Sequence, residues 1–153
     1  MAPNAFLVTA QLLLASWTSQ GYESAHEQSI ESGRPLLVLI GAKWCGACQV
    51  MKKRVLPGLA QRGVLDEIHC AEIDLNKDAR LAKRVSASTT IPCLILYKKE
   101  KDSWRRWELK GLHKGKVVEE FLKKHQAIPI AAAEKKEASP EKTAEAPNEA
   151  AKK

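Results

Sequence analysis

A chain of 153 residues is long enough for one domain with a real hydrophobic core, and 44% hydrophobic with 28% charged residues is the composition of an ordinary soluble globular domain. No apolar run reaches the roughly 18–20 residues that span a bilayer. The net charge of +7 falls entirely on residues 1–126, because residues 127–153 carry five Lys and five Glu. No aromatic–basic motif accompanies the basic clusters at 52–54 and 98–101, so the charge reads as a solvated surface and no nucleic-acid partner is expected.

Residues 5–15 (AFLVTAQLLLA) have the length of a signal-peptide apolar region, with Ala15-Ser16 as a weak cleavage site, yet no Lys or Arg precedes them. Residues 1–16 are therefore read in two ways, as an export or anchor remnant or as a first strand or helix packed on the domain. Membrane association is expected through this segment or not at all, and the compartment stays open between bacterial cytoplasm and export. Trp17 is expected to pack an N-terminal helix onto the domain.

Residues 22–32 (YESAHEQSIES) suggest a short helix stopped by Gly33 and Pro35. Residues 36–40 (LLVLI) are apolar without alternation, the pattern of a strand covered on both faces. A helix starts near Cys45, runs through Val55 and is expected to break at Pro57-Gly58. Residues 68–73 alternate as a second strand, and residues 78–85 form a helix with Asn76 as its expected N-cap. Residues 93–97 (CLILY) and 104–109 (WRRWEL) make two further strands, joined through a hairpin loop at 98–103. In the last of them Trp104 and Trp107 fall on opposite faces, one toward the core. Residues 116–125 close the domain with a helix whose stripe is Val117, Val118, Phe121 and Leu122. From residue 127 onward Ala, Lys, Glu and Pro dominate without apolar period, which predicts a disordered tail over 127–153. The order of elements, one crossover followed by a hairpin, gives an α/β domain with a mixed central β-sheet flanked by α-helices.

Four cysteines are present, and Cys45-Gly46-Ala47-Cys48 lies just after the buried strand, where a helix begins. Residues three apart in a first helical turn share a face, so the two sulfurs can close a ring or separate into thiols with little backbone movement. The helix start carries unpaired N–H groups and partial positive charge, which favours a thiolate on Cys45. Cys45 is thus the expected nucleophile and Cys48 the resolving thiol. A C-x-x-C also serves zinc sites and structural disulfides. Zinc usually needs a second ligand pair, whereas Cys70 and Cys93 are isolated and read as small buried hydrophobes. The four histidines are scattered and read as surface or packing residues.

Residues 35–55 resemble the active-site strand and helix of the thioredoxin family, and Trp44–Cys48 match its W-C-G-P-C motif with Ala47 in place of proline. Thr90-Ile91-Pro92 resembles the family's cis-proline segment. The resemblance spans about residues 17–126 and implies a thioredoxin-like fold. It also implies thiol-disulfide oxidoreductase activity of the protein-disulfide reductase type through Cys45 and Cys48. Trp44, Gly46, Ala47, Ile91 and Pro92 are expected to contact substrate. The partners it implies are protein disulfide substrates and a reductase or oxidase, with no cofactor or metal and a monomeric state. Thioredoxins usually carry a buried aspartate six residues before the first cysteine, and Leu39 stands there. The chain resembles divergent bacterial thioredoxin-like proteins more than general thioredoxin. A redox-sensing binding module and, more distantly, a metallochaperone are the rival readings.

Overall fold

A computed structural model of the chain describes residues 20–86, 88–125 and 127–128. The readings of residues 1–16, of Trp17 and of the chain beyond 128 lie outside the described residues.

The apolar run forms β2 (Leu36–Gly41), buried along its whole length because it is the middle strand. The sheet order is β1-β3-β2-β4-β5, with β1 at Gln20–Gly21, β3 at His69–Asp74, β4 at Cys93–Glu100 and β5 at Ser103–Lys110. Strands β1, β3 and β2 run parallel, and β4 and β5 are antiparallel to their neighbours. Side chains of β2 alternate between two cores. Leu37 and Leu39 pack with Met51, Leu56, Leu59, Val118 and Leu122, whereas Leu36, Val38 and Ile40 pack with Ala25, Ala82, Val85, Cys93 and Ile95. Helices α3 (Leu56–Gln61) and α5 (Gly115–Lys124) therefore cover one face, and α1 (Tyr22–Ser32) and α4 (Ala79–Val85) the other. Gly33 ends α1 in the left-handed region, at φ 71°, which glycine adopts without a Cβ penalty. Trp107 packs against the first core while Trp104 is exposed, and His125 stacks on Trp107 at 4.5 Å.

Three local expectations are corrected. The helix opening at α2 (Gly46–Val50) does not break at Pro57-Gly58. It passes through a π-helical turn at Met51–Val55 and continues as α3, with Pro57 in its first turn. In the widened turn the Leu56 N–H donates to the Met51 carbonyl, five residues back, and Pro57, which has no N–H to place in the ladder, follows in the first turn of α3. Asn76 is not the N-cap of α4; Asp78 holds that position without a side-chain bond. The hairpin between β4 and β5 is a two-residue turn, with Lys101 at φ 53°.

The boundary at residue 127 is also corrected. Ala127 and Ile128 are buried in the first core, and the Ala127 N–H donates to the Leu122 carbonyl at 2.9 Å. Two apolar side chains at a composition shift still fill space beside Leu122. We propose that residues 129–153 add nothing to this core. Deleting 129–153 should leave the melting temperature unchanged. Deleting 127–153 removes the burial of Ile128, about 1.5–3 kcal/mol, and should lower the melting temperature by roughly 5 °C or more in thermal unfolding.

Candidate redox site

Strand β2 ends at Gly41, and residues 42–44 turn the chain directly into α2, with Cys45 as its N-cap. Cys45 has extended backbone, and its Sγ accepts a hydrogen bond from the Cys48 N–H at 3.2 Å. That is the bond a capping Ser or Asp oxygen makes. A sulfur placed there is stabilised as thiolate by the same N–H and by the helix-end charge. Cys45 and Cys48 are joined in a disulfide, with Cα atoms 5.2 Å apart. Cys45 is 9% exposed and Cys48 3%, so the first residue is the more exposed of the two. Cys48 sits directly over Gly41: a Cβ at position 41 would lie 3.0 Å from the Cys48 Cβ and 3.3 Å from its Sγ. A glycine closing an apolar strand carries that close-approach signal in the sequence, and the reading of the strand passed over it.

The residues singled out from the sequence come together around this pair. Ala47 and Ile91 pack against Cys45, Cys48, Ala42 and Leu75 in one apolar cluster. The Ile91-Pro92 peptide is cis, and the buried Pro92 is tied down by its carbonyl, which accepts from the Gly111 N–H at 2.7 Å. Gly46 is exposed at the start of α2. Trp44 is 71% exposed, and its Nε1 donates to Asn76 Oδ1 at 3.2 Å. Asn76 in turn donates its N–H to Asp74 Oδ1 at 2.9 Å, so the turn after β3 holds the indole beside Cys45. Asn76 and Leu75 are site neighbours that no local pattern marks, because α2 and the β3–α4 turn meet only through the parallel pairing of β2 and β3.

The other two cysteines stand apart from this cluster. Cys93 is buried in the second core, and burial, with the Glu108 charge, pushes its thiol pKa up. Cys70 packs against the first core, and burial pushes its thiol up to about 12. Leu39 is 1% exposed among the core residues packed with Met51, Leu56 and Leu59. Among the described residues no group of three or more His, Cys, Asp or Glu is arranged to hold a metal ion.

A thioredoxin-like family model matches residues 16–99, more than half of the chain. The chain belongs to the thioredoxin-like family. Curated protein sequences give no match. Solved thioredoxins share the fold. The chain superimposes on chloroplastic thioredoxin z with a TM-score of 0.60 at 17% identity, covering 74% of this chain and 96% of that one. A thioredoxin from Thermus thermophilus gives 0.62 at 20% identity, over 72% and 88% of the two chains. One from Trichomonas vaginalis gives 0.52 at 23% identity, over 71% and 94%. The expected thioredoxin-like fold and family are thus confirmed, and in this chain the Cys45–Cys48 disulfide lies at the start of the helix after the central strand.

Proposed function

We propose that this thioredoxin-like domain is a thiol-disulfide oxidoreductase acting on protein disulfides. The observation that carries the reading is the Cys45–Cys48 disulfide, with Cys45 Sγ as the cap of the helix. In the reduced protein the Cys45 thiolate attacks one sulfur of a substrate disulfide and forms a mixed disulfide, and the first substrate thiolate leaves and takes a proton. Cys48 then loses its proton, attacks the Cys45 sulfur and expels the second substrate thiolate. The substrate has gained two electrons and the protein is left as the Cys45–Cys48 disulfide. A partner dithiol, from a reductase, returns those electrons. The opposite net direction would require a partner oxidase. The exposed Trp44 ring, Gly46, Ala47 and the Ile91-Pro92 backbone form the surface on which the substrate chain lies.

Insulin reduction with dithiothreitol as electron donor tests this reading. The reduced protein should accelerate precipitation of the insulin B chain catalytically, many turnovers per molecule. A stoichiometric reaction, one disulfide per molecule, would instead fit a redox-sensing binding module.

A further inference from the structure

Resting on the proposed reaction, we propose that Glu72, held in place by Lys52, accepts the proton of Cys48 during resolution. Cys48 is 3% exposed, and a thiol taken out of water ionises less readily. Resolution therefore needs a base that reaches it. Along β2 the face toward Cys48 offers only Leu37, Leu39 and Gly41, none of which can take a proton.

The neighbouring strand supplies what β2 lacks. Leu39 pairs with Glu72 and Gly41 with Asp74 in the parallel register of β2 and β3. Residues Cys70, Glu72 and Asp74 share one face of β3, and Cys70 packs in the same core as Leu37 and Leu39. Glu72 thus stands one strand, about 4.8 Å, to the side of Leu39, on the face over which Cys48 lies. Beyond β3, among the described residues, the sheet has the two residues of β1. A cleft of about 830 Å³ opens there, lined by Gln49, the residue next to Cys48, together with Lys52 and Glu72.

Lys52 follows Cys48 by four residues along the helix, and its Nζ lies 2.8 Å and 2.7 Å from the two Glu72 carboxylate oxygens. The pair fixes the carboxylate against the helix, at the cleft that Gln49 also lines. The other charged groups facing the cleft have different settings. Asp74 is engaged by the Asn76 N–H. Lys43 and Lys77 bring positive charge, and Glu23 and Asp78 approach from α1 and the start of α4. Cys70, on the same face, has its thiol pushed up to about 12 by burial and is no base at neutral pH.

The step balances. The Cys48 thiol proton moves through water to a Glu72 oxygen, the thiolate forms a bond to Cys45 Sγ, and the Cys45–substrate bond breaks. The departing substrate thiolate, or water, then recovers the proton from Glu72.

Stopped-flow mixing of the reduced protein with excess of a symmetric aromatic disulfide, whose thiolate is coloured, resolves the two events. One coloured equivalent marks attack by Cys45 and a second marks resolution by Cys48. Glu72→Gln should keep the first phase and slow the second by roughly 100-fold near neutral pH. The gap should narrow only well above the free thiol pKa of about 8.5, because the buried Cys48 ionises without a base only at higher pH than a free thiol. Lys52→Met keeps the carboxylate but loosens its hold against the helix, so its second phase should slow, by clearly less than in Glu72→Gln. An unchanged second phase in Glu72→Gln overturns the proposal. So does equal slowing in both variants, since the ion pair would then matter only for structure. The parent first phase, if preserved in each variant, shows that the site has folded. A Cys48→Ser control separates the two readings. If it releases the second equivalent as fast as the parent, resolution by Cys48 itself fails. If the release depends on Cys48 but not on Glu72, only the relay fails.

Discussion

Replacing Cys45 with serine should abolish catalysed insulin reduction, leaving only the rate of dithiothreitol alone. Cys45 is the more exposed of the pair and its Sγ accepts the Cys48 N–H, so on the proposed reading it is the atom that attacks the substrate disulfide. Serine keeps the cap geometry and removes the nucleophile, because an alcohol cannot form or break the mixed disulfide. Cys48→Ser should behave differently. It should react with substrate once and stop at a mixed disulfide on Cys45. Neither remaining cysteine can resolve it. Cys93 lies in the core on the opposite face of the sheet, and Cys70, pushed up to about 12, carries almost no thiolate at neutral pH. Mass spectrometry of the stalled variant should show one substrate chain attached at Cys45. A mixed disulfide trapped on Cys48 in the Cys45→Ser variant, or none on Cys45 in the Cys48→Ser variant, would contradict the division of roles.

Leu39→Asp should cost about 3–5 kcal/mol of stability, because it removes a fully buried leucine and leaves a polar group without apolar packing. That is a large share of the roughly 5–15 kcal/mol that holds a domain together, so folding must be verified by near-ultraviolet circular dichroism. The burden should depend on pH. Burial raises the folded carboxyl above its unfolded pKa of about 3.9. Between the two values the unfolded chain has lost its proton while the folded one keeps it, so stability falls as pH rises through that window. The variant should therefore lie nearest the parent below about pH 4 and be weakest at neutral pH. Its kinetic effect separates two accounts of resolution. With Glu72 beside it in register, the new acid should add little in the parent background. In a Glu72→Gln background it should restore the slowed second phase. Chemical denaturation at two pH values and the stopped-flow release give both numbers.

Much of this is legible in the sequence because the decisive features are local. An unbroken LLVLI run means a strand covered on both faces, and the structure places it in the middle of the sheet. A C-x-x-C after such a strand means a helix start, and Cys45 is its cap. Pro57 does not break the helix because the breaking rule assumes a regular ladder, and a π turn precedes it here. Composition over a long window places Ala127 and Ile128 in the tail, whereas their burial is decided by the space left beside Leu122. Asn76 matched an N-cap by residue type but is engaged by Trp44 and Asp74. The proximity of Glu72 to Leu39, and of Asp74 to Gly41, exists only through strand register. No pattern along the chain encodes a pairing between segments more than thirty residues apart.

Alkylation of the reduced protein by iodoacetamide across a pH series, read residue by residue by mass spectrometry, tests the central assignment most directly. Cys45 should be modified first, with a midpoint below the free thiol value of about 8.5. Cys48 should follow, and Cys70 and Cys93 should resist until the protein unfolds. Earlier labelling of Cys48, Cys70 or Cys93, or a Cys45 midpoint at or above the free value, would contradict the account.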